Sequence, residues 1–233
     1  MKIVVVTSFH SQERIENGML MDTINSVRNL VIPEGAEMEY CLFSNGKLDD
    51  TKVLEAIKDF PFPVYYFHVP NNMGAISGGN VAFNVVLARN ADFIQSVDSD
   101  DKLHPLSVSR ALQRLAEGNL DMVGYWYQTF GNTNEILKWR NDLTLEKIVK
   151  DRVAPPCQMF YSRKCFELTG GFNTTLEYAN DFELHIRLAM LGMKYDIIEE
   201  PLYFYRLHGN QETDGRYNDD EWKDKSFKLN GLM

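Results

Sequence analysis

Phe93-Ile94-Gln95-Ser96-Val97-Asp98-Ser99-Asp100-Asp101 sets a short apolar run directly against three carboxylates. The run from Phe93 to Val97 reads as a buried strand, and the acidic residues read as the loop at its carboxyl end. Upstream, the same kind of run recurs at Ile3 to Val6, Met38 to Phe43 and Val64 to Phe67. Helical patterns separate these runs. Leu20, Ile24, Val27 and Leu30 form a 3.6-period stripe stopped by Pro33 and Gly35, Val53, Leu54 and Ile57 mark a short helix, and Val81, Val85, Val86 and Ala88 give the buried face of a helix from about Ser77 to Asn90. Strand alternating with helix predicts an α/β fold with a mixed, mostly parallel sheet and helices on both faces.

Downstream the pattern loosens. Pro105 opens a predicted helix with Leu106, Leu112 and Leu115 inward and Gly118 as its stop. Strands are expected at Met122 to Thr129, Gln158 to Tyr161, Tyr195 to Ile198 and Leu202 to Tyr205. Helices are expected after Thr144, before Gly170-Gly171, and from about Asp181 to Leu191. No linker or repeat interrupts the chain, which predicts a single domain: residues 1–101 as one half, 102–208 as the second, and 209–233 as a polar, mobile tail with a helix-like stretch from Asp219 to Lys228.

The 233 residues carry 24 Lys and Arg against 33 Asp and Glu, a formal charge of −9, with 44% hydrophobic residues. That suffices for a core and speaks against general nucleic-acid binding. Cys41, Cys157 and Cys165 lack metal or redox spacing and read as free thiols. No apolar run is long enough for a signal or an integral membrane segment, so a cytoplasmic location is expected. His10, His68, His104 and His185 show no ligand spacing and read as structural.

In open α/β sheets ligands collect at the carboxyl ends of the strands. Three carboxylates within Asp98–Asp101 repel one another unless a cation offsets them, and all-oxygen ligands suit Mg²⁺ or Mn²⁺ with substrate phosphates completing the shell. An acidic helix start before Pro105 accounts for the same residues. Upstream, Asn71-Asn72-Met73-Gly74-Ala75-Ile76-Ser77-Gly78-Gly79-Asn80 leads into a helix whose glycines let backbone N–H groups approach a ligand, or simply form a tight turn.

The spaced string from Asn71 through Asp101 resembles the core signature of glycosyltransferase family 2, inverting nucleotide-sugar enzymes of GT-A fold. Two further pieces match. Gly170-Gly171-Phe172-Asn173 followed by Asn180-Asp181 is similar to the family's acceptor-side turn and helix, with Asn180 where a glutamate is usual. Glu200-Pro201-Leu202-Tyr203-Phe204-Tyr205-Arg206-Leu207-His208 is similar to its terminal loop.

The resemblance implies Asp181 as catalytic base, although Asn180 and Asp181 also suit a helix cap. It implies donor contacts from Thr7, Ser44, Asn72, Gly74, Asn80, Asp98, Ser99 and Arg206. It assigns a metal, Mn²⁺ or Mg²⁺, to Asp100 and His208, and the acceptor side to Asn180 and Asp101. The terminal segment around 204–216 is expected to order when donor binds. Ser44-Asn45-Gly46 stands where the family carries an Asp that reads uracil, and Thr7-Ser8-Phe9-His10 replaces a Pro-Thr-x-Asn start, so donor base and sugar stay open. The acceptor stays open among saccharide, lipid-linked sugar, protein and modified base. Transfer of one sugar to a hydroxyl is the expected activity. The alternatives are a silent nucleotide-sugar-binding module, suggested by Asn180 and Ser44, and a sugar nucleotidyltransferase, against which residues 8–16 contain no glycine.

Overall fold

The computed structural model describes residues 1–209 and 219–233. Along the chain run β1 (Lys2–Phe9), α1 (Gln12–Glu16), α2 (Met19–Arg28), β2 (Glu37–Asn45), α3 (Thr51–Ala56), β3 (Val64–Val69), α4 (Ala75–Ala88), β4 (Phe93–Ser96), β5 (Lys102–Leu103) and α5 (Ser107–Gly118). Then follow β6 (Met122–Gly131), β7 (Ile136–Leu137), α6 (Leu145–Asp151), β8 (Phe160–Ser162), α7 (Arg163–Thr169), α8 (Asn180–Met190), β9 (Tyr195–Leu207) and α9 (Asp219–Leu229).

The described strands join in one mixed sheet of order β3-β2-β1-β4-β8-β6-β9-β5, with β7 against β6. The long ladders β1–β2, β2–β3, β1–β4 and β6–β9 are parallel. The short ones through β8, β5 and β7 are antiparallel. Both faces are covered, which is why the strands read as continuous apolar runs. Ile3 and Val5 pack with Leu20, Ile24 and Val27 of α2 and Val108 and Ala111 of α5. Val4 and Val6 turn the other way, onto Ala82, Phe83 and Val86 of α4 and Leu184 and Leu188 of α8.

From β1 the chain returns on the β2 side, whereas β4 lies on the opposite side of β1 and leads onward to the second half. The connections diverge there, so a crevice opens between the carboxyl ends of β1 and β4.

Several expectations are corrected. The two strands expected at 195–198 and 202–205 are one strand, β9, with its register to β6 shifted around Trp126 so that Tyr125 faces Ile198 and Trp126 faces Pro201. Glu199 and Glu200 bulge out at that point, which admits Pro201 without a ladder donor. Helix α5 starts at Ser107 and leaves Leu106 exposed, with Val108 taking the inward position. The helix-like stretch expected from Asp219 to Lys228 is α9, and what differs from a polar tail is its Phe227, buried with Phe182, Ile186, Leu143 and Ile148. Residues 210–218 lie outside the described residues, and with them residues 210–216 of the segment expected to order on donor binding. Among the described residues no helix is long and apolar enough to cross a membrane.

Candidate active site

The acidic run leaves β4 at the crevice, and its members point in different directions. Asp101 is 1% exposed. Its Oδ2 accepts from the Tyr203 hydroxyl at 2.7 Å, its Oδ1 accepts from the Arg206 backbone N–H at 2.7 Å, and its carbonyl accepts from Thr23 Oγ1 at 2.7 Å. Burial, then the charges of Asp98 and Asp100, hold its carboxyl well above the usual carboxylate range. This side chain pins β9 to the acidic turn and does not face an acceptor, contrary to expectation.

Asp100 is the convergence point. Its Oδ2 lies 2.9 Å from His208 Nε2 and 2.9 Å from Arg14 Nη2. Arg206 Nε donates to the Asp100 carbonyl at 2.7 Å, and its Nη2 reaches Asp22 Oδ2 at 2.7 Å, while its guanidinium lies over the Phe130 ring. The terminal motif is thus fastened to the acidic turn by both backbone and side chains. Asp98 is exposed at the mouth of the crevice. Among the described residues no group of three His, Cys, Asp or Glu side chains is arranged to hold a metal ion alone. A carboxylate oxygen and an imidazole nitrogen that converge fit a divalent cation whose other ligands come from substrate phosphates and water.

On the β2 side the expected donor residues fall into two sets. Asn72 and Gly74 are exposed; Asn72 Oδ1 accepts from the Gly74 N–H at 2.9 Å, and Gly74 takes φ +82° to turn into α4. Thr7 and Ser44 are fully buried. Thr7 accepts from the Tyr40 hydroxyl at 3.0 Å, and Ser44 donates to the Asp50 carboxylate at 3.1 Å. Tyr66 also bonds Asp50, and His68 Nδ1 lies 3.2 Å from Ser44 Oγ and 3.4 Å from Asp50 Oδ2. So Ser44 is engaged by Asp50 and His68. Neither stood out in the sequence, since a lone His beside a lone Asp has no spacing to mark it.

Ser99 is buried against Arg14, whose Nη1 donates to Ser99 Oγ at 2.7 Å. Asn80 is occupied elsewhere. Its Nδ2 donates to the Phe172 carbonyl at 2.8 Å and its Oδ1 accepts from the Phe172 N–H at 2.7 Å, so it ties α4 to the Gly170-Gly171-Phe172 turn.

That turn positions the second carboxylate. Arg187 of α8 donates to the Thr169 carbonyl at 2.6 Å and to the Gly171 carbonyl at 2.7 Å while forming a fork with the buried Glu183, at 2.8 Å on each oxygen. The start of α8 is thereby fixed. The cap position is Ala179, at φ +54° with no side-chain cap bond. Asn180 and Asp181 are therefore the first two helical residues, and neither is the cap that their residue types suggest. Partly buried Cys157 lies between the two halves: burial, then the charges of Asp181 and Asp98, push its thiol well above its ordinary value, and it hydrogen-bonds Asp181. Asp181 and Asp98 thus flank one thiol. Beside it, Ser96 at the end of β4 bonds Gln158. His185 is buried against Tyr161, and His104 lies tilted against Phe204.

Residues 4–173 match the family described as Glycosyl transferase family 2. The chain is 29% identical over 185 residues to the chondroitin synthase of Pasteurella multocida (strain Pm70), covering 76% of this chain and 18% of that protein. It is 26% identical over 210 residues to the chondroitin synthase of Escherichia coli, covering 83% of this chain and 28% of that protein. It therefore spans less than a third of either synthase. Among solved structures, S. aureus TarS 1-349 in complex with UDP-GlcNAc matches with a TM-score of 0.77 at 17% identity, over 98% of this chain and 65% of that one. Mannosyltransferase PcManGT from Pyrobaculum calidifontis, in complex with GDP-Man and Mn²⁺, matches with a TM-score of 0.70 at 14% identity, over 99% of this chain and 64% of that one. The α/β architecture expected from the sequence is the one these enzymes share. With the family matched over most of its length and the acidic turn, the Gly-Gly-Phe turn and the terminal motif assembled around one crevice, this chain belongs to glycosyltransferase family 2.

Proposed function

We propose that the chain is an inverting, metal-dependent glycosyltransferase that moves one sugar per turnover from a nucleotide-sugar donor to an acceptor hydroxyl. The observation that carries this reading is the pairing of Asp100 with His208 at the switch point, with Asp181 hydrogen-bonded to Cys157 in the second half. Asp100 and His208 would hold Mn²⁺ or Mg²⁺. When bound, the cation neutralises charge that builds on the leaving diphosphate. Arg206, held by Asp22 and the Asp100 carbonyl, adds a guanidinium fork at the same edge. Exposed Asn72 and Gly74 border the donor cleft, and Asp98 at its mouth faces ribose or metal.

Asp181 then takes the proton of the acceptor hydroxyl as its oxygen attacks the anomeric carbon opposite the leaving phosphate. The carboxylate sits in the first turn of α8. Cys157 holds it by a hydrogen bond, and Asn180 beside it borders the acceptor. That Asn80, Arg187 and Asp101 are all engaged in fastening these elements together favours an enzyme built for fixed geometry over a silent binding module.

A donor screen with Mn²⁺, reading release of nucleoside diphosphate, tests the activity. Calorimetry of UDP and of GDP with Mn²⁺, and then with chelator, tests the metal: loss of affinity on chelation is expected, and equal affinity in both removes the cation from the reading.

A further inference from the structure

Arg14 is a feature of the crevice that the mechanism above does not use. It sits on α1, the first turn after β1, and its partners sit in the turn after β4, so it spans the two loops that diverge at the switch point. Its side chain is 17% exposed, with Nη2 2.9 Å from Asp100 Oδ2 and Nη1 2.7 Å from Ser99 Oγ. The oxygen it engages is the same one that meets His208 Nε2. A guanidinium and a divalent cation on one carboxylate oxygen, in one small volume, repel each other, so binding of one displaces the other.

We propose that Arg14 is a phosphate-binding residue of the donor site that holds Asp100 until the metal and the donor arrive, and then exchanges that carboxylate for a donor phosphate. This rests on the donor-and-metal reading above. The chemistry is balanced without any proton moving: Arg14 stays charged, the cation takes the Asp100 oxygen, and the freed fork finds the diphosphate oxygens that arrive with the cation. A planar fork matches those oxygens bidentately, a geometry that an ammonium lacks. The same guanidinium offsets the crowding of Asp98, Asp100 and Asp101, since it lies 2.9 Å from the Asp100 carboxylate. The donor subsite would thus carry a cation from α1 as well as the one from β9, on opposite sides of the acidic turn.

The exchange predicts opposite signs for two measurements on Arg14→Gln. Binding of Mn²⁺ alone, read by electron paramagnetic resonance, should tighten by about threefold, because a competing cation is gone. Binding of UDP or GDP at saturating Mn²⁺, read by calorimetry, should weaken by about 10- to 100-fold, the range of a lost charge-assisted contact. A merely structural Arg14 lowers both affinities together with the melting temperature. Unchanged or weaker Mn²⁺ binding overturns the exchange, and unchanged diphosphate binding overturns the phosphate contact. Arg14→Lys keeps the charge and covers the case in which the Gln variant fails to fold. It should bind Mn²⁺ as wild type does and bind the diphosphate more weakly, and wild-type affinity for both overturns the fork. A wild-type protein that binds no Mn²⁺ or no diphosphate removes the underlying reading, an outcome distinct from a wild type that binds both while its variants match it.

Discussion

The side-chain amide of Asn80 closes a two-bond ring with the backbone of Phe172, donating to its carbonyl at 2.8 Å and accepting from its N–H at 2.7 Å. One residue of α4 thereby holds the turn that leads to α8. Gly171 lies against this ring at φ +93°, and a Cβ there would come within 2.5 Å of Asn80 Oδ1. The surrounding rings, Phe83 stacked on Phe166 at 4.2 Å and edge-on to Phe172 at 5.5 Å, keep the turn dry.

Asn80→Ala should therefore cost about 1–3 kcal/mol, since two backbone groups of a part-buried turn lose their partner. Gly171→Ala should cost a similar amount from the left-handed backbone and the close approach. Because both act through one ring, the double variant should lose less than the sum. Urea denaturation of the three variants measures this, and strict additivity would show that the ring does not couple the two elements.

The strands β1 to β4 were legible because each is buried on both faces and so reads as a β-branched run, and because the helices between them carry their own period. Strands β5 and β7, two residues each, and α1, five residues, are too short to show any period. That β8 wedges antiparallel between β4 and β6 is a matter of long-range pairing that no local pattern records. In the site, the apolar run placed Asp98 to Asp101 at the end of β4 and the helical pattern placed Asp181 at the start of α8, while Arg206 and His208 were marked only by the resemblance of the terminal segment. Neither pattern could say which way a side chain turns: Thr7, Ser44 and Asp101 occupy crevice-end positions and face inward. Arg14 carries no signal at all, being one arginine in a short polar helix, and only the fold brings it to Asp100.

Acid should destabilise this protein through His185. Its ring is fully enclosed, and the Tyr161 hydroxyl, which already donates to the Cys157 carbonyl at 2.8 Å, can only accept from Nε2–H at 3.3 Å, so Nδ1 is left without a partner. Burial lowers its pKa from 6.5 to about 4. The unfolded chain takes up this proton first, so the contribution is complete above pH 6.5 and is lost as pH falls through about 4, roughly 3 kcal/mol in all. His185→Gln should flatten the melting temperature between pH 6.5 and 4. A variant that retains the wild-type slope would assign the acid sensitivity to other groups.

Helix α9 should prove part of the domain. Phe227 is 1% exposed and meets Phe182 edge-on at 5.4 Å, directly behind the residue after Asp181. Asn230 Nδ2 adds a bond to Glu183 Oε1 at 3.2 Å. Phe227→Ala should cost about 3–5 kcal/mol, the usual loss for a buried phenyl, and should raise hydrogen exchange along α8. Exchange confined to α9 would mean that the helix rests on the domain without supporting the acceptor side.

The mechanism turns on Asp181, and its position sharpens the test. Were Asp181 a helix cap, Asn would serve equally well and Ala would cost about 1 kcal/mol. The cap position is instead Ala179, so loss of a cap should not contribute to the effect of either substitution. Asp181→Asn keeps size and polarity, still accepts from the Cys157 thiol through its amide oxygen, and removes the proton acceptor. Diphosphate affinity with Mn²⁺ should match wild type, because the proposed reading assigns the leaving group to Asp100, His208 and Arg206 and not to Asp181. Turnover should fall by about 10²- to 10⁴-fold, the range for loss of a general base. Single-turnover kinetics and melting curves on the same preparations separate the two effects, and an Asp181→Asn protein that turns over at the wild-type rate would move the base to another carboxylate.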